Sequence, residues 1–467
     1  SYIVVDESHR FRNEKTQSYE LLKKICLGKK VILLSATPLN NRLDDLLAQI
    51  KLFQKGKAST IPGVSNLEAF FRQQAKALKD LNPADKDDRI QAERVAALVR
   101  DKVLKHVMIR RTRKEVSKYF TEDIIKNGLK FPDVETPTPL IYEFDDDLEA
   151  AFNQTIHLLK DLTYARYTPL LYLTAGASQI ETLSQKNIRG FIKSLLVKRL
   201  ESSFFAFGLT VERIIYSYEA FIEAFGKGKV YVGKQVDIGD ILDSDDLEEM
   251  EEKLTLKGVE VYNADDFDEQ FLPDLQKDLA AFQAIAAIWS KIEADPKYDA
   301  FLQNLVSNET LKGERVLIFT ESRETGEYLY FRLQNTLPSV AMMFSSKNAL
   351  HNGQTISPRD ARNIIRRNFD PSHDDPGEDF RILITTDVLA EGMNLHRAGR
   401  IINYDLPWNP TRVIQRLGRI NRVGTAHKKL YIFNFFPTAQ ADSHLGLQDN
   451  ITKKITAFNS VLGNDNK

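Results

Sequence analysis

Twice along this chain, short apolar runs rich in β-branched residues alternate with helical segments, and nothing else in the sequence narrows the fold as much. In the first stretch, residues 2–5 and 30–34 are apolar runs, while 17–26 and 42–53 read as helices. Leu43, Leu46, Leu47 and Ile50 carry the helical spacing of the last. In the second stretch, residues 315–319, 340–344, 381–385, 400–404 and 429–435 read as strands, with helices such as 323–333 and 358–368 between them. Apolar strands without alternation, joined by helices, predict an α/β fold of parallel sheets buried under helices on both faces. A long helical pattern over 148–225 separates the two stretches, and an earlier one over 67–119 is broken at Leu81-Asn82-Pro83. Pro132, Pro137 and Pro139 mark an extended connection. Residues 237–252 turn sharply acidic, through Asp245-Asp246 and Glu248-Glu249, as a solvated linker or insertion does.

Composition removes several classes of function. With 42% hydrophobic and 28% charged residues the chain is neither fibrous nor disordered. At 467 residues it has room for roughly two to four domains of ~100–200 residues. A net charge of -1 supplies no general basic field, so any nucleic-acid contact must come from local patches. Cys26 is the only cysteine, which rules out an internal disulfide and a cysteine-based zinc cluster. No run of about 18 apolar residues and no basic leader are seen. The expectation is a soluble, cytoplasmic protein with no membrane partner.

Four strings carry chemistry. Val4-Val5-Asp6-Glu7-Ser8-His9 puts adjacent carboxylates at the end of an apolar strand, where α/β sheets bind ligands. An Asp there can hold Mg²⁺ through water, and a neighbouring Glu can orient an attacking water; alone, the pair is equally a helix cap or a solvated turn. Leu33-Leu34-Ser35-Ala36-Thr37-Pro38 runs from a strand into a hydroxyl-rich turn, which by itself is also a capped turn. Thr385 to Leu395 offers hydroxyls, the Asp387 carboxylate, Gly392 and the Asn394 amide in one loop after an apolar strand. Gln415-Arg416-Leu417-Gly418-Arg419-Ile420-Asn421-Arg422 places Arg419 and Arg422 three apart, on one side of a helix, where two guanidiniums suit a phosphate chain. Gly418 inside that helix hints at close approach of another group.

In this order the strings resemble the motif blocks of superfamily 2 helicases. Asp6-Glu7-Ser8-His9 is similar to the DEAD/DEAH-type Walker B block and Ser35-Ala36-Thr37 to the Ser-Ala-Thr block. Val316-Leu317-Ile318-Phe319-Thr320-Glu321 resembles the strand that opens the second lobe. Within that superfamily the SWI/SNF-like branch, bacterial type, fits best. Ser35 to Asn41 runs into a Leu-rich helix, Met108-Ile109-Arg110-Arg111-Thr112 resembles the branch's double-arginine stretch, and Asn403-Tyr404-Asp405-Leu406-Pro407-Trp408-Asn409-Pro410 is similar to bacterial members. The resemblance covers roughly residues 1–145 and 295–440.

It implies two RecA-like lobes with ATP and Mg²⁺ in the cleft between them, and nucleic acid, duplex DNA above all, as partner. Residues 1–145 would be the later part of the first lobe with a helical protrusion, 146–294 a helical insertion with an acidic linker, and 295–467 the second lobe. Asp6 would act through Mg²⁺ and Glu7 would position water. Gln415, Arg419 and Arg422 would meet the phosphates, with Asp387 near the ribose. Ser35 and Thr37 would couple the cleft to nucleic acid, and Gly392, Asn394 and Thr385 would lie toward the track. On a predicted helix, Arg359 and Arg362, with Arg366 and Arg367, read as a nucleic-acid-facing cluster or a solvated face.

One departure matters. The family needs a Gly-rich loop ending Gly-Lys-Ser/Thr before the Asp-Glu block, and only five residues precede Asp6. Gly228 with Gly233-Lys234-Gln235 is a decoy, with Gln in place of the hydroxyl. The expectation is a fragment of a longer motor, inactive alone. A helicase-derived binding scaffold and a restriction-system motor subunit are the other readings. Lys198 to Phe207 reads as a family-specific helical insertion whose aromatics serve the core.

Overall fold

A computed structural model describes residues 1–14, 16–35, 43–79, 86–109, 113–126, 131–233, 259–338, 340–389, 393–407, 410–436 and 438. Thr37, Gly392, the double arginine at 110–111, Trp408-Asn409 and the acidic run 237–252 lie outside the described residues. The chain separates into two compact units. Among described residues, one holds Ser1–Phe131 with Pro407–Gln415, and the other holds Pro132–Leu406 with 416–438.

In the first unit β1 (Tyr2–Val5) and β2 (Lys30–Leu33) pair in parallel, Val5 opposite Leu33, joined by α1 (Gln17–Cys26). Thr16 caps α1 by accepting from the Tyr19 amide. Then follow α2 (Leu43–Ile50), α3 (Leu67–Lys79) and α4 (Lys86–Val99), packed around Leu46, Ile50, Leu67, Phe71 and Val99. The expected burial of this sheet on both faces is not met. Tyr2 and Val4 are 69% and 60% exposed, because the helices cover only the face carrying Val5 and Leu33.

In the second unit the short β3 (Asp133–Val134) and β4 (Thr138–Leu140) join a nine-stranded sheet. Helices α5 (Asp146–Asp161), α6 (Gln179–Ser202) and α7 (Phe204–Gly226) follow, then the antiparallel pair β5 (Lys229–Gly233) and β6 (Val259–Asn263). Of the decoy, Gly228 and the strand Lys229–Gly233 are described, while Lys234 and Gln235 lie outside the described residues. Next come α8 (Phe271–Trp289), α9 (Pro296–Ser307), β7 (Val316–Phe319), α10 (Arg323–Thr336) and β8 (Ala341–Phe344). The chain ends its described course with β9 (Ala349–His351), β10 (Gln354–Ile356), α11 (Pro358–Phe369), β11 (Ile382–Thr385), β12 (Arg400–Asn403), α12 (Pro410–Ile420) and β13 (Lys429–Phe435).

The sheet runs β10-β9-β8-β11-β7-β12-β13-β3, with β4 also on β13. Its central pairs are parallel, while β8-β9 and β9-β10 are antiparallel. Strands β7, β8 and β11 are buried along their whole length. Alternate residues serve opposite faces: Val316, Ile318, Met343 and Ile384 pack on α9 and α10, and Leu317, Phe319, Met342 and Leu383 on α11. Gly326 lets α10 lie close to the sheet, since a Cβ there would sit 3.1 Å from the Met343 methyl.

The helical middle has its own core, with Phe152, Ile192, Leu196, Phe207, Ile214, Phe271 and Phe282 fully or almost fully buried. Phe204 packs tilted and Phe207 edge-on against Trp289, and both serve the core, whereas Phe205 is half exposed and lies on the Tyr328 ring. Asp278 ties its parts together, accepting from the Thr163 and Ala165 amides and from the Tyr218 hydroxyl.

Candidate active site

At the C-terminal end of β1 the chain turns sharply. Glu7 has φ 48°, a left-handed backbone uncommon for a residue with a side chain, and such strain gathers at functional sites. Its amide donates to Asp6 Oδ1 at 2.9 Å, leaving the exposed Asp6 carboxylate facing outward. The next residue is pinned from two sides. The Ser8 amide bonds the Leu34 carbonyl at 2.9 Å, and its hydroxyl donates to Gln49 Oε1 at 3.2 Å. Buried His9 sits at a junction: Nδ1 lies 3.3 Å from Glu7 Oε2 and 3.2 Å from Ser35 Oγ. Within the same unit, its Nε2 is 3.5 Å from Gln415 Nε2. An amide donating to Nε2 requires the tautomer protonated on Nδ1, and that proton then points at Glu7 and Ser35.

An exposed carboxylate at a strand end suits Mg²⁺ held through water, whose other ligands would come from a bound phosphate. No group of three or more His, Cys, Asp or Glu residues forms a protein-only metal cage among the described residues. Asp6, exposed at the end of β1, is a carboxylate that could face a nucleotide-bound Mg²⁺.

In the second unit the centre is Arg416, fully buried. It grips Asp387 with two bonds, Nε to Oδ1 at 2.5 Å and Nη2 to Oδ2 at 3.1 Å. Nη1 donates to Asn403 Oδ1 and to the Asp405 carbonyl, both at 2.9 Å, and the guanidinium lies 5.0 Å from the Phe319 ring centre. The Asp387 loop is thereby fixed to α12. Arg419 is also buried, with Nη1 3.4 Å from the Met393 carbonyl.

Three expectations need correction. Arg422 does not share a helix face with Arg419, because α12 ends at Ile420 and the chain enters a turn at Gly424, φ 88°. Among the described residues, its own helix backbone and chain neighbours aside, no atom lies within 4 Å of where a Cβ on Gly418 would stand. Thr385 does not face outward: it is fully buried, its hydroxyl bonded to the Phe344 and Thr386 carbonyls at 3.0 Å.

Asn394 lines a cavity of about 270 Å³ with Arg366, Asp370, Ser372, His373, Asp374 and Met393. Arg359 and Arg362 lie exposed on α11, Arg362 over the Phe344 ring at 5.9 Å. Arg367 instead pairs with Asp375 at 3.1 Å and Asp379 at 3.6 Å. Sequence reasoning assigned no role to His9 or Arg416, although both stand inside its strings. A histidine after Asp-Glu and a third arginine between Gln415 and Arg419 were the available signals.

Residues 1–127 match the SNF2-related domain and residues 296–424 the helicase conserved C-terminal domain. An uncharacterized ATP-dependent helicase, YqhH, of Bacillus subtilis is 32% identical over 32% of this chain and 23% of its own length. The ATP-dependent RNA helicase ROK1 of Gibberella zeae is 36% identical over 23% of this chain and 14% of its own. The ATP-dependent RNA helicase eIF4A of Saccharomyces cerevisiae is 28% identical over 32% and 33%. The chain thus spans a third or less of each of these relatives. A solved structure, the C-terminal part of the Fun30 ATPase domain, matches at 14% identity and a TM-score of 0.32, over 71% of this chain and 99% of that one. No described helix is long and apolar enough to cross a membrane.

Proposed function

From the premise that this chain belongs to the SNF2-like branch of the superfamily 2 helicases, we propose that it is part of an ATP-driven translocase on duplex DNA. The observation that carries the reading is the Asp6-Glu7 turn, with adjacent carboxylates at a parallel strand end and Glu7 in a strained left-handed backbone. Glu7 orients the attacking water, with His9 fixing its carboxylate, and Asp6 is the protein contact for Mg²⁺. When bound, Mg²⁺ neutralises charge on the phosphate oxygens. Gln415, Arg419 and Arg422 stabilise charge developing on the phosphates, and Asp387, held by Arg416, faces the ribose. Ser35 and Thr37 link nucleotide to track. Asn394 and Gly392, with Arg359 and Arg362, take the nucleic-acid side, and Thr385 supports that loop from beneath.

Duplex DNA is favoured because members of this branch typically move along duplex without separating it, and the match to the SNF2-related domain supports that assignment. The test is ATP turnover by the full-length native protein with duplex DNA, single-stranded DNA or RNA. Stimulation chiefly by duplex DNA supports the reading; stimulation by RNA alone overturns it. These 467 residues contain no Gly-Lys-Ser/Thr. A polypeptide limited to them is expected to turn over ATP negligibly, and robust turnover by it would contradict this division of roles.

A further inference from the structure

In open α/β sheets, ligands bind outside the carboxyl ends of neighbouring strands whose onward connections run in opposite directions. In this sheet those strands are β7 and β12. After β7 the chain crosses to β8, on the β11 side, and after β12 it passes to β13 on the other. Glu321 and Asp405 each stand two residues beyond their strand at that crevice. Both are already engaged by groups from outside the sheet. Lys198 of α6 pairs with Glu321, while Ser202 at the end of α6 and Lys297 of α9 reach Asp405.

The contacts form an ordered chain. Asp405 Oδ2 accepts from the Ser202 hydroxyl at 2.8 Å and from the Glu321 amide at 3.1 Å, and Oδ1 accepts from Lys297 Nζ at 3.1 Å. Because Ser202 spends its one proton on Asp405, Thr325 donates to Ser202 at 2.9 Å, and Ser322 donates to Thr325 at 2.8 Å. Lys297 Nζ also caps the carbonyls of Glu201 and Ser202, at 2.8 and 3.2 Å, where α6 ends. Ser203 caps α7 in turn by accepting from the Ala206 amide. On its other side, the Asp405 carbonyl accepts from Arg416, which holds Asp387. Ser202, Asp405, Lys297 and Arg416 are all buried, so these bonds are unscreened by water and reinforce one another.

We propose that Asp405 is a positioning residue through which the helical middle sets the posture of α12, so that Ser202 works as a built-in effector of ATP turnover. The effect on turnover rests on the function proposed above; the effect on α12 does not. In the full-length native protein, Ser202→Ala removes one hydroxyl and leaves both helices in place. The variant is expected to exchange the amides of 416–420 about fivefold faster or more, the lower end of ordinary coupling between sites. Ser202→Thr, which keeps the hydroxyl, is expected to restore the wild-type rate. Ser194→Ala, on the same helix with its hydroxyl on the Gly190 carbonyl, is expected to leave those amides unchanged. In the same preparations Ser202→Ala is expected to lower kcat about fivefold or more at a KM for ATP close to wild type.

Unchanged exchange across 416–420 in Ser202→Ala, or faster exchange that threonine fails to restore, overturns the positioning role. Faster exchange with kcat within about twofold of wild type overturns the effector role. A wild-type protein that never hydrolyses ATP defeats the proposed function instead, and the exchange data still decide the relay.

Discussion

Arg416 shows how much one buried cation can be asked to hold. Its guanidinium makes bonds to Asp387, Asn403 and Asp405 with no exposure to solvent. Removing one partner of such a pair strands the other, so Arg416→Ala is expected to cost about 3 kcal/mol or more in urea unfolding. A loss below about 1 kcal/mol, the value of an exposed pair, would contradict that role. Glu201 makes a second prediction. Burial pushes its carboxyl up to about 7, against an ordinary 4.5, although Lys297, the Tyr142 hydroxyl and the Thr438 amide pull it down. Between those values the folded protein keeps a proton that the unfolded chain has released. The Glu201 contribution to stability is therefore full below pH 4.5 and is lost as pH rises to about 7. Glu201→Gln should lack this decline, shifting the comparison with wild type by on the order of 1–3 kcal/mol across the window. His351 and His396, depressed by burial, act in the opposite sense and cancel in that comparison. A pH-independent difference would refute the assignment.

At the scale of elements, α12 and α11 carry the testable claims. Gly418 lies within helix α12 with open space where a Cβ would stand, so Gly418→Ala should stabilise the protein by about 0.5–1 kcal/mol in thermal unfolding. Destabilisation would show a close neighbour after all. On α11, Arg359 and Arg362 are exposed, and neutralising either should reduce the salt slope of DNA binding by about one unit. An unchanged slope would make them a solvated face. The long apolar strands of the second unit are legible because both their faces are buried, so no polar alternation interrupts them. The hairpin of β9 and β10 escapes a reading by periodicity, although Asn352-Gly353, with φ 48° and 74°, is a strong short-range turn signal. The end of α12 at Ile420 is not legible, because Asn421-Arg422 continues a helical pattern although the backbone has already left the helix there. Likewise, periodicity marks Arg416 as one more basic residue. Burial alone reveals its role.

Over the whole molecule, the helical middle belongs to the same compact unit as the nine-stranded sheet, although its sequence reads as a separate insertion. The buried Arg199–Glu324 and Lys198–Glu321 pairs show why, since charges that reach across the boundary cannot be left unpaired. The Asp6, Ser35 and Asp387 strings are readable because they follow apolar strands, where local sequence dictates position. Their support from the helical middle is not, since Ser202 and Asp405 are 203 positions apart. The central claim is that these residues serve one nucleic-acid-stimulated ATPase, and it stands most directly on turnover by the full-length native protein carrying Arg419→Ala. Arg419→Ala is expected to lower DNA-stimulated kcat about 10³-fold or more, with the fold intact by circular dichroism. Turnover within about twofold of wild type would contradict it.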